Sequence, residues 1–472
     1  MKKLFIDGQW IDTGTYMDVY NPYDGSLVET ICTATPELTN KAIDAAYAAR
    51  ETMKNLSAAK RGKILDNMCA LIERDKEEIA QIITAEAGKG LVFSRGEAGR
   101  TAENFKFAAD EARRLGGELV PYDASDSGAN RFGYYKRYPI GVIGAITPFN
   151  FPLNLVAHKV GPAIAAGNPI VLKPASTTPL TAVKIVELLL EAGLPACGIN
   201  LVVGSGSVVG NAMVESDKIA MITFTGSPSV GLDIKSKAGI KKVTLELGSN
   251  SAAIIHDDAD IRYAVPKCVI GAFANSGQVC ISIQRIYIHE SRYPEFRDMF
   301  VDAVKASRNG DPKDEKTLVG PMIEEREAVR AEKWINEAVA MGAKVAVGGK
   351  RTGTLLEATV LEDTTEQMTI VREEIFGPVV CIMKYSTLDE VIDRVNDSQF
   401  GLQAGIFTNN IQNAFKAIDK IEVGGVMVND MPTFRVDQMP YGGVKLSGTG
   451  REGPKFAVEE MTELKTVMFN LN

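Results

Sequence analysis

Apolar residues recur every three or four positions in the first third of the chain, which predicts amphipathic helices over 36–53, 58–87 and 96–115. After Pro139 the pattern changes, because short apolar runs alternate with helical stretches. The predicted strands are 141–147, 169–172, 199–203, 221–224 and 242–246, and the helices between them are 153–166, 179–192, 207–214 and 229–238. This alternation predicts a parallel, doubly wound sheet with helices on both faces.

A second α/β series follows, with strands predicted near 285–288 and 379–383. Two other segments fit neither series. The stretch 117–138 is polar and Gly-rich and ends in alternating aromatic and basic residues, which is typical of a strand or hairpin outside the main core. The tail 455–472 ends in an extended apolar segment that needs a partner strand, and we expect it to pair with residues 131–138 of another subunit.

The composition is that of an ordinary globular protein with more than one domain. The chain has 472 residues, of which 45% are hydrophobic and 24% charged, and its formal net charge is −8. This acidic balance excludes a general nucleic-acid binder, which would present a basic face. We expect no membrane-spanning segment, because no run of about 18 apolar residues occurs. The N-terminus also lacks the apolar segment of a signal peptide.

The cysteines and histidines limit the redox and metal chemistry. Six cysteines are widely spaced without a C-x-x-C pair, which is typical of reduced thiols in a cytoplasmic protein. The three histidines, His158, His256 and His289, do not have the spacing of a metal-binding motif, so we expect no metal site.

One thiol and one carboxylate are candidates for catalysis. Cys280 ends the motif Gly277-Gln-Val-Cys, and Glu246 ends a predicted strand just before Leu247 and Gly248. A single cysteine in an apolar segment is most often a core residue. Together with a carboxylate base, however, a thiolate supports covalent acyl transfer, in which the sulfur attacks a carbonyl and an activated water releases the acyl group.

Two strand ends are candidates for binding a nucleotide. No G-x-G-x-x-G motif occurs at a suitable place, and the nearest run, 204–210, has one residue too many. The residues Phe-Thr-Gly-Ser at 224–227 follow a strand and open a helix, so their N–H groups could hold a phosphate or simply form a tight turn. Lys173 follows another strand and therefore lies at the carboxyl edge of the sheet, where ligands bind in such folds.

These residues and several further motifs resemble the aldehyde dehydrogenase superfamily over essentially the whole chain. The matching motifs, in the family's order, are Pro148-Phe-Asn150-Phe-Pro152, Leu172-Lys173-Pro174, Phe224-Thr-Gly-Ser227, Glu246-Leu-Gly248, Gly277-Gln-Val-Cys280, Glu373-Glu374-Ile-Phe376-Gly-Pro378 and Pro440-Tyr-Gly-Gly443. Several of these motifs would be weak alone, but together they are specific.

The resemblance implies an aldehyde dehydrogenase-like α/β fold with two doubly wound parallel-sheet domains and a small β oligomerisation arm. The nucleotide domain would comprise 1–118 and 138–246, the catalytic domain 247–445, and the arm 119–137 and 455–472. Such an arm implies a homodimer or homotetramer.

The resemblance also implies roles for particular residues. Cys280 would be the nucleophile and Glu246 the base, and the Asn150 amide would form the oxyanion hole with the backbone N–H of Cys280. The cofactor would be NAD or NADP. Its expected contacts are Ile146, Thr147, Pro148, Lys173, Ser176, Gly206, Phe224, Gly226, Ser227, Val230, Gly248, Glu374 and Phe376. The thiol must become more acidic for this chemistry, either at the start of a helix or through the bound cofactor.

Three positions depart from the common family pattern. Ser249 replaces a second glycine after Glu-Leu-Gly, which we treat as neutral. Ser176 stands where NAD-preferring members commonly have a glutamate for the ribose, and without that carboxylate NADP is admissible. Arg435 stands at a tunnel position that is often aromatic. Its guanidinium could bind the oxygens of an anionic substrate or pair with a nearby acid such as Asp437.

The leading hypothesis is an NAD(P)-dependent, non-acylating dehydrogenase of a small polar aldehyde, including anionic ones such as a semialdehyde or sulfolactaldehyde. The residues expected at the aldehyde tunnel are Lys106, Asn154, His158 and Arg435. A CoA-acylating dehydrogenase is the first alternative, which Glu246 disfavours because that reaction needs no hydrolytic base. A non-catalytic binding or structural relative is the second, which the intact Cys280, Glu246 and Asn150 disfavour.

Overall fold

Two sheets of mainly parallel strands and one small antiparallel sheet organise the chain, and the computed structural model describes all of its residues, 1–472. The strands are β1 (Leu4–Ile6), β2 (Gln9–Ile11), β3 (Tyr16–Tyr20), β4 (Leu27–Cys32), β5 (Gly117–Leu119), β6 (Arg131–Pro139), β7 (Val142–Ile146), β8 (Ile170–Lys173), β9 (Ile199–Leu201), β10 (Ile219–Thr225), β11 (Lys242–Glu246), β12 (Ala252–Ile255), β13 (Arg285–His289), β14 (Arg308–Asn309), β15 (Thr317–Val319), β16 (Lys344–Val347), β17 (Arg351–Thr352), β18 (Leu355–Leu356), β19 (Thr359–Glu362), β20 (Val379–Tyr385), β21 (Phe400–Gly401), β22 (Gln403–Phe407), β23 (Gly425–Val428), β24 (Val444–Lys445), β25 (Gly448–Thr449) and β26 (Thr462–Asn470).

The α-helices surround these sheets. They are α1 (Pro36–Ala48), α2 (Arg50–Lys54), α3 (Ala58–Arg74), α4 (Lys76–Ala87), α5 (Leu91–Arg114), α6 (Asn154–Ala166), α7 (Leu180–Glu191), α8 (Asn211–Glu215), α9 (Pro228–Lys237), α10 (Ile261–Phe273), α11 (Tyr293–Ala306), α12 (Glu325–Ala340), α13 (Thr369–Arg372), α14 (Leu388–Asn396), α15 (Ile411–Lys420) and α16 (Pro454–Glu460). None of them is long and apolar enough to cross a membrane.

The first large sheet has eight strands in the order β2-β1-β9-β8-β7-β10-β11-β25. Its five central strands run parallel, as the alternating pattern predicted. Strands β8, β10 and β11 end at Lys173, Thr225 and Glu246, so these polar residues lie along one carboxyl edge. The two edge strands β2 and β25 were not predicted, because runs of two or three residues are too short to show a periodicity.

The second large sheet has seven strands in the order β16-β19-β20-β13-β12-β22-β23. All neighbouring strands are parallel except β16, which is antiparallel to β19. Helix α10 packs its buried face on this sheet, with Phe273 and Cys268 in the core. This helix leads directly into the segment that carries Cys280.

The small sheet corrects the expectation that the C-terminal tail pairs with another subunit. Strand β26 lies antiparallel to β6 of the same chain, from Thr462 opposite Pro139 to Asn470 opposite Arg131, and β5 lies on the other side of β6. Helix α16 brings the tail back beside β6, so the partner strand is already present within one chain.

The predicted helices of the first third are confirmed in part. The stretch 36–53 contains α1 and α2, which are separated at Ala49, and 58–87 contains α3 and α4, which are separated at Asp75. The first 32 residues form the strands β1 to β4, which the periodicity did not predict. A π-helical turn at Gly206–Gly210 precedes α8, so the predicted helix 207–214 is only partly α-helical.

Candidate active site

Cys280 lies in a turn that follows helix α10. Asn275, Ser276 and Gly277 have φ values of 52°, 56° and 68°, so three successive residues adopt the left-handed conformation. A Cβ on Gly277 would lie 2.0 Å from the carbonyl oxygen of Gly377, so only glycine fits there. This turn sends the chain back toward the cavity, where Cys280 is partly buried. The helix ends at Phe273, so the expected start of a helix at the thiol is not found.

The nucleophile candidate has a polar neighbour that was not predicted. Cys280 Sγ lies 2.7 Å from the hydroxyl oxygen of Tyr441. Burial raises the pKa of the Cys280 thiol to about 11, while the hydrogen bond with Tyr441 and the positive charge of Arg435 act in the opposite direction. Tyr441 belongs to the Pro-Tyr-Gly-Gly motif that carried part of the family resemblance, but the motif alone did not indicate this contact.

Glu246 is buried at the end of β11, and neither of its carboxylate oxygens has a hydrogen-bond partner. Burial, followed by the negative charge of Glu452, raises the pKa of the Glu246 carboxyl well above its usual range. Arg435 and Lys159 lower it only in part. A Cβ on Gly442, directly after Tyr441, would lie 2.9 Å from Glu246 Oε1, so this carboxylate and Cys280 both lie beside the segment 441–442.

Asn150 is buried before helix α6 and is held from both sides. Its side-chain amide donates to the carbonyl oxygen of Gln278 at 3.0 Å. In return, Asn275 donates its side-chain amide to the backbone oxygens of Asn150 and Gln278, both at 3.2 Å. The loop that carries Asn150 is therefore fixed against the turn that carries Cys280.

A cavity of about 270 Å³ opens at Cys280. It lies between helix α5, the start of α6, the end of α10 and the loop 431–441. Among its polar lining residues are Lys89, Glu97, Arg100, Asn154, Asn275, Thr433, Arg435 and Tyr441. Phe93, Phe151, Leu155 and Val279 contribute to its apolar walls.

Arg435 lines this cavity and is nearly fully buried. Its Nη2 donates to Glu452 at 2.9 Å, and its guanidinium carbon lies 3.6 Å from the centre of the Tyr441 ring. Glu452 also accepts from Lys159 at 3.1 Å. The acid that pairs with Arg435 is therefore Glu452, and Asp437, the acid named from the sequence, has other partners.

A second set of charges continues from Arg435 to the mouth of the cavity. His158 Nε2 lies 2.9 Å from Arg435 Nη2 and 2.8 Å from Asp437 Oδ1. Arg100 donates to both carboxylate oxygens of Asp437, at 3.1 and 2.7 Å. Asn154 donates to the same carboxylate at 3.1 Å. His158 thus lies behind the cavity wall, while Asn154 and Arg100 are part of the wall itself.

The structure contradicts the prediction that Lys106 lies at the aldehyde tunnel. It is exposed and does not line the cavity, although it lies on helix α5 as predicted. Phe93, Glu97 and Arg100 follow the three- and four-residue repeat of a helix and face the cavity. Lys106 lies six positions beyond Arg100, which turns it to another face of α5.

A second cleft, of about 430 Å³, lies at the carboxyl edge of the first sheet. It collects most of the expected cofactor residues, namely Ile146, Thr147, Pro148, Lys173, Gly206, Phe224, Gly226 and Val230. The Oγ1 atom of Thr147 is buried without a partner, and Lys173 donates only to the carbonyl oxygen of Pro174, at 3.3 Å. Burial lowers the pKa of the Lys173 ammonium to about 8. These groups suit an anionic ligand.

The remaining expected cofactor residues lie around this cleft or toward Cys280. Ser176 donates to the carbonyl oxygen of Gly204 at 3.0 Å, and Ser227 is the residue before helix α9. Glu374 accepts from the backbone N–H of Ser249 at 2.9 Å. Its carboxylate lies against Gly248, where a Cβ would be only 2.2 Å from Oε2.

Phe376 lines a smaller cavity of about 120 Å³ together with Phe149 and Gln278. The rings of Phe149 and Phe376 are nearly perpendicular, with their centres 5.8 Å apart. Phe149 follows Pro148 of the cofactor cleft and Gln278 lies two residues before Cys280, so neighbours of both regions line this cavity.

The chain is similar to known proteins in both sequence and fold. Residues 10–467 match the model of the aldehyde dehydrogenase family. The chain belongs to this family. A 3-sulfolactaldehyde dehydrogenase of Priestia megaterium is 47% identical over 469 residues, which cover 99% of this chain and 98% of the relative.

Two solved structures of the family have the same fold. Aldehyde dehydrogenase 21 of Physcomitrella patens, in complex with the reaction product succinate, has a TM-score of 0.97 at 42% identity and covers 100% of this chain and 98% of its own. Glyceraldehyde-3-phosphate dehydrogenase of Methanocaldococcus jannaschii, in complex with NADP, has a TM-score of 0.93 at 42% identity and covers 96% and 99%. The predicted family and fold are confirmed, and the chain is an NAD(P)-dependent enzyme that oxidises an aldehyde.

Proposed function

We propose that this aldehyde dehydrogenase oxidises a small anionic or hydroxylated aldehyde, with Cys280 as nucleophile, Glu246 as base and Asn150 as oxyanion donor. The observation that carries the proposal is the position of a partly buried thiol in the wall of a small cavity that two arginines also line. A thiolate provides the nucleophile for a carbonyl carbon, and the guanidinium groups suit a negatively charged substituent on the same small molecule.

Catalysis begins when the Cys280 thiolate attacks the carbonyl carbon, so that a C–S bond forms and the carbonyl electron pair moves to oxygen. The Asn150 amide has two N–H donors and uses one of them for Gln278. The other donor, together with the backbone N–H of Cys280, stabilises the negative oxygen. The C=O bond then re-forms as the C–H bond of the former aldehyde breaks, and bound NAD(P)+ would accept the hydride, so that Cys280 carries the acyl group as a thioester.

Glu246 then completes the reaction by taking a proton from the water that attacks the thioester. Its raised pKa makes the ionised carboxylate a stronger base than an exposed glutamate. The C–S bond breaks, the acid is released, and the sulfur returns as the thiolate. A CoA-acylating reaction would not need this buried carboxylate, so we favour hydrolysis.

The cofactor cleft fits the phosphates of a dinucleotide. The buried ammonium of Lys173 has no acidic partner, and the unpartnered Thr147 Oγ1 is available in the same cleft. Gly206 has open space where a side chain would begin. Ser176 brings no carboxylate against a 2′-phosphate, so we propose that both NADP and NAD are accepted. The remaining expected contacts, Ser227, Gly248, Glu374 and Phe376, would lie along the path from the cleft to Cys280.

The substrate is proposed to be small because the cavity of about 270 Å³ is below the usual size of a ligand pocket. Arg435 Nε is buried without a partner, and Arg100 uses only Nε and Nη2 for Asp437. Arg100, whose side chain is partly exposed at the cavity, would hold a carboxylate, sulfonate or hydroxyl group through its Nη1 group with Asn154 beside it, and Arg435 would contribute positive charge from the cavity wall. His158 would act indirectly, by its contact with Arg435. The 3-sulfolactaldehyde dehydrogenase relative supports this substrate class.

Assembly and domain roles form a further part of the proposal. We propose that 1–118 and 138–246 form the nucleotide domain, that 247–445 form the catalytic domain, and that 119–137 and 455–472 form an oligomerisation arm. Strand β26 exposes Leu464, Met468 and Phe469, which supports a homodimer or homotetramer. All six cysteines are free thiols, which supports a reducing, cytoplasmic compartment.

The test is the substitution Cys280→Ser, with Cys268→Ala as the matched control. NAD(P)H formation at 340 nm should be lost in Cys280→Ser, while the dissociation constants of NADP and NAD change by no more than a few-fold, because a serine hydroxyl without a dedicated base is a far poorer nucleophile. Cys268 is fully buried in the core and should be dispensable for catalysis. More than a tenth of the wild-type rate in Cys280→Ser would refute the assignment. A rate that depends on added CoA would instead identify the acylating reaction.

A further inference from the structure

Tyr441 has a hydroxyl group that meets the nucleophile directly. Its oxygen lies 2.7 Å from Cys280 Sγ, and the residue is only 2% exposed. On the face of the same ring, the guanidinium carbon of Arg435 lies 3.6 Å from the ring centre. The mechanism above gives Tyr441 no part, and a phenylalanine would fill the same volume, so the hydroxyl group needs its own explanation.

We propose that Tyr441 is a catalytic residue that activates Cys280, because its hydroxyl donates a hydrogen bond to the thiolate while Arg435 holds the ring in place and adds positive charge. The inference rests on the proposed function, since it takes Cys280 as the nucleophile. It identifies a group of the protein itself that makes the thiol more acidic, before any cofactor is bound.

The step involves a single proton. The S–H bond of Cys280 breaks and its proton leaves to water, while Tyr441 keeps its own proton and directs it at the sulfur. A thiolate is an acceptor only, so the hydrogen bond becomes charge-assisted on ionisation. When the sulfur electron pair forms the C–S bond with the aldehyde, the sulfur loses its charge and the hydrogen bond weakens.

The charges around the pair support this direction of donation. Burial raises the pKa of the Tyr441 phenol well above its usual value, so that the hydroxyl stays protonated and remains a donor. Burial opposes ionisation of Cys280 most strongly, and the negative charges of Glu374 and Glu246 add to it, while Tyr441 and Arg435 favour ionisation. A buried thiol near carboxylates needs such compensation to react at neutral pH.

The test measures alkylation of Cys280 by iodoacetamide in the full-length protein without cofactor, over pH 6 to 11, with the modified peptide quantified by mass spectrometry. Tyr441→Phe keeps the ring and its contact with Arg435 and removes only the hydroxyl group. We expect the rate at pH 7.5 to fall about ten-fold and the pH midpoint to rise by about one unit. The difference should shrink toward pH 11, because ionisation of the wild-type thiol begins to saturate near its pKa of about 11 while that of the variant is still rising.

Tyr263→Phe is the matched control, because Tyr263 is exposed on helix α10 and should not change the alkylation curve. An unchanged alkylation rate at pH 7.5 in Tyr441→Phe would overturn the inference, and so would a fall by the same factor at every pH, which would mean a structural effect. The acid limb of kcat/KM should move by the same amount as the alkylation midpoint. Dehydrogenase activity in Cys280→Ser would instead refute the proposed function, without changing what the alkylation curves say about Tyr441.

Discussion

Arg435 and Glu452 form an ion pair of 2.9 Å that is almost completely buried beside the substrate cavity. Removing one partner of a buried pair leaves an uncompensated charge and typically costs about 3–5 kcal/mol. Glu452 would keep only Lys159 as a cationic partner, and the guanidinium would be lost from the ring of Tyr441. Through this pair the cavity wall is connected with the carboxylate of Glu452, whose charge in turn affects Glu246.

Arg435→Leu should consequently affect stability as well as catalysis. We expect the free energy of unfolding in urea to fall by about 3–5 kcal/mol. We also expect kcat/KM to fall for neutral and anionic aldehydes, with the larger loss for the anionic ones. A variant of wild-type stability that loses only anionic substrates would show that Glu452 tolerates the loss of Arg435.

Arg100 gives the more selective test of substrate charge. It is 32% exposed at the cavity, and Asp437 keeps Asn154 and His158 as partners when Arg100 is replaced. Loss of a charge-assisted hydrogen bond costs about 1.5–3 kcal/mol. We expect Arg100→Leu to lower kcat/KM for succinate semialdehyde or 3-sulfolactaldehyde by about ten- to a hundred-fold, and Arg100→Lys to lower it less. Equal losses on propanal would remove Arg100 from substrate recognition.

Glu246→Gln should separate acylation from hydrolysis. The amide cannot take a proton from water, so thioester hydrolysis should slow more than hydride transfer. Stopped-flow absorbance at 340 nm should then show a burst of about one NAD(P)H for each active site, followed by little turnover. Uniform loss of both phases would indicate a structural role for this buried carboxylate.

The wild-type enzyme provides a related pH test. Glu246 acts as a base only when ionised, and its pKa is raised in the folded protein. Hydrolysis should therefore increase with pH through a midpoint above about 4.3, the ordinary value for glutamate. The negative charge of Glu452 contributes to this shift, so Glu452→Gln should move the midpoint to lower pH. A midpoint that stays in place would mean that another group controls the acid limb.

The strand pattern predicted the sheets well because the strands are buried on both faces and appear as short apolar runs between helices. The same order placed Lys173 and Glu246 at one carboxyl edge, where the structure has them. The first strands, such as β1 and β2 with three residues each, were missed because their periodicity cannot be recognised over so few residues. Pairing of β26 with β6 could not be assigned to the same chain, because strand patterns do not indicate which copy supplies the partner.

The charged network of Lys159, Glu452 and Arg435, which affects the pKa of Glu246, could not be predicted for a different reason. Lys159 lies in a helix whose residues are all buried, and its acidic partner Glu452 is 293 residues away in the chain. No local spacing connects such residues. The prediction for Lys106 was wrong because the sequence placed it on the correct helix but did not show which face of that helix lines the cavity. Phe93, Glu97 and Arg100 are spaced by four and three residues and share the face of α5 that lines the cavity. Once that face was known, the helical repeat would have identified Arg100.

The left-handed turn before Cys280 gives a structural prediction. Gly277 has a φ of 68°, and a Cβ there would lie 2.0 Å from the carbonyl oxygen of Gly377. Strain of this kind costs roughly 1–3 kcal/mol before the clash is relieved. Gly277→Ala should lower the melting temperature and displace Cys280, so that kcat falls more than cofactor affinity does.

Gly193→Ala is a control, because Gly193 also has a positive φ, of 96°, but has nothing within 4 Å of its Cβ position. Equal activity in the two variants would show that the turn can relax.

Ser176 decides the last prediction, which concerns cofactor choice. Its hydroxyl donates to the carbonyl oxygen of Gly204, just before the turn that contributes Gly206 to the cofactor cleft. In Ser176→Glu, a carboxylate would accept hydrogen bonds from ribose hydroxyls but repel a 2′-phosphate, so the ratio of kcat/KM for NADP to that for NAD should fall by about ten-fold or more. Ser176→Ala is the matched control, since it removes the same hydroxyl without adding charge, and it should leave the ratio within about two- to three-fold. An unchanged ratio in Ser176→Glu would place the adenosine ribose away from residue 176. A fall of equal size in Ser176→Ala would mean that the hydroxyl itself binds the phosphate, so the two substitutions together distinguish repulsion from the loss of a contact.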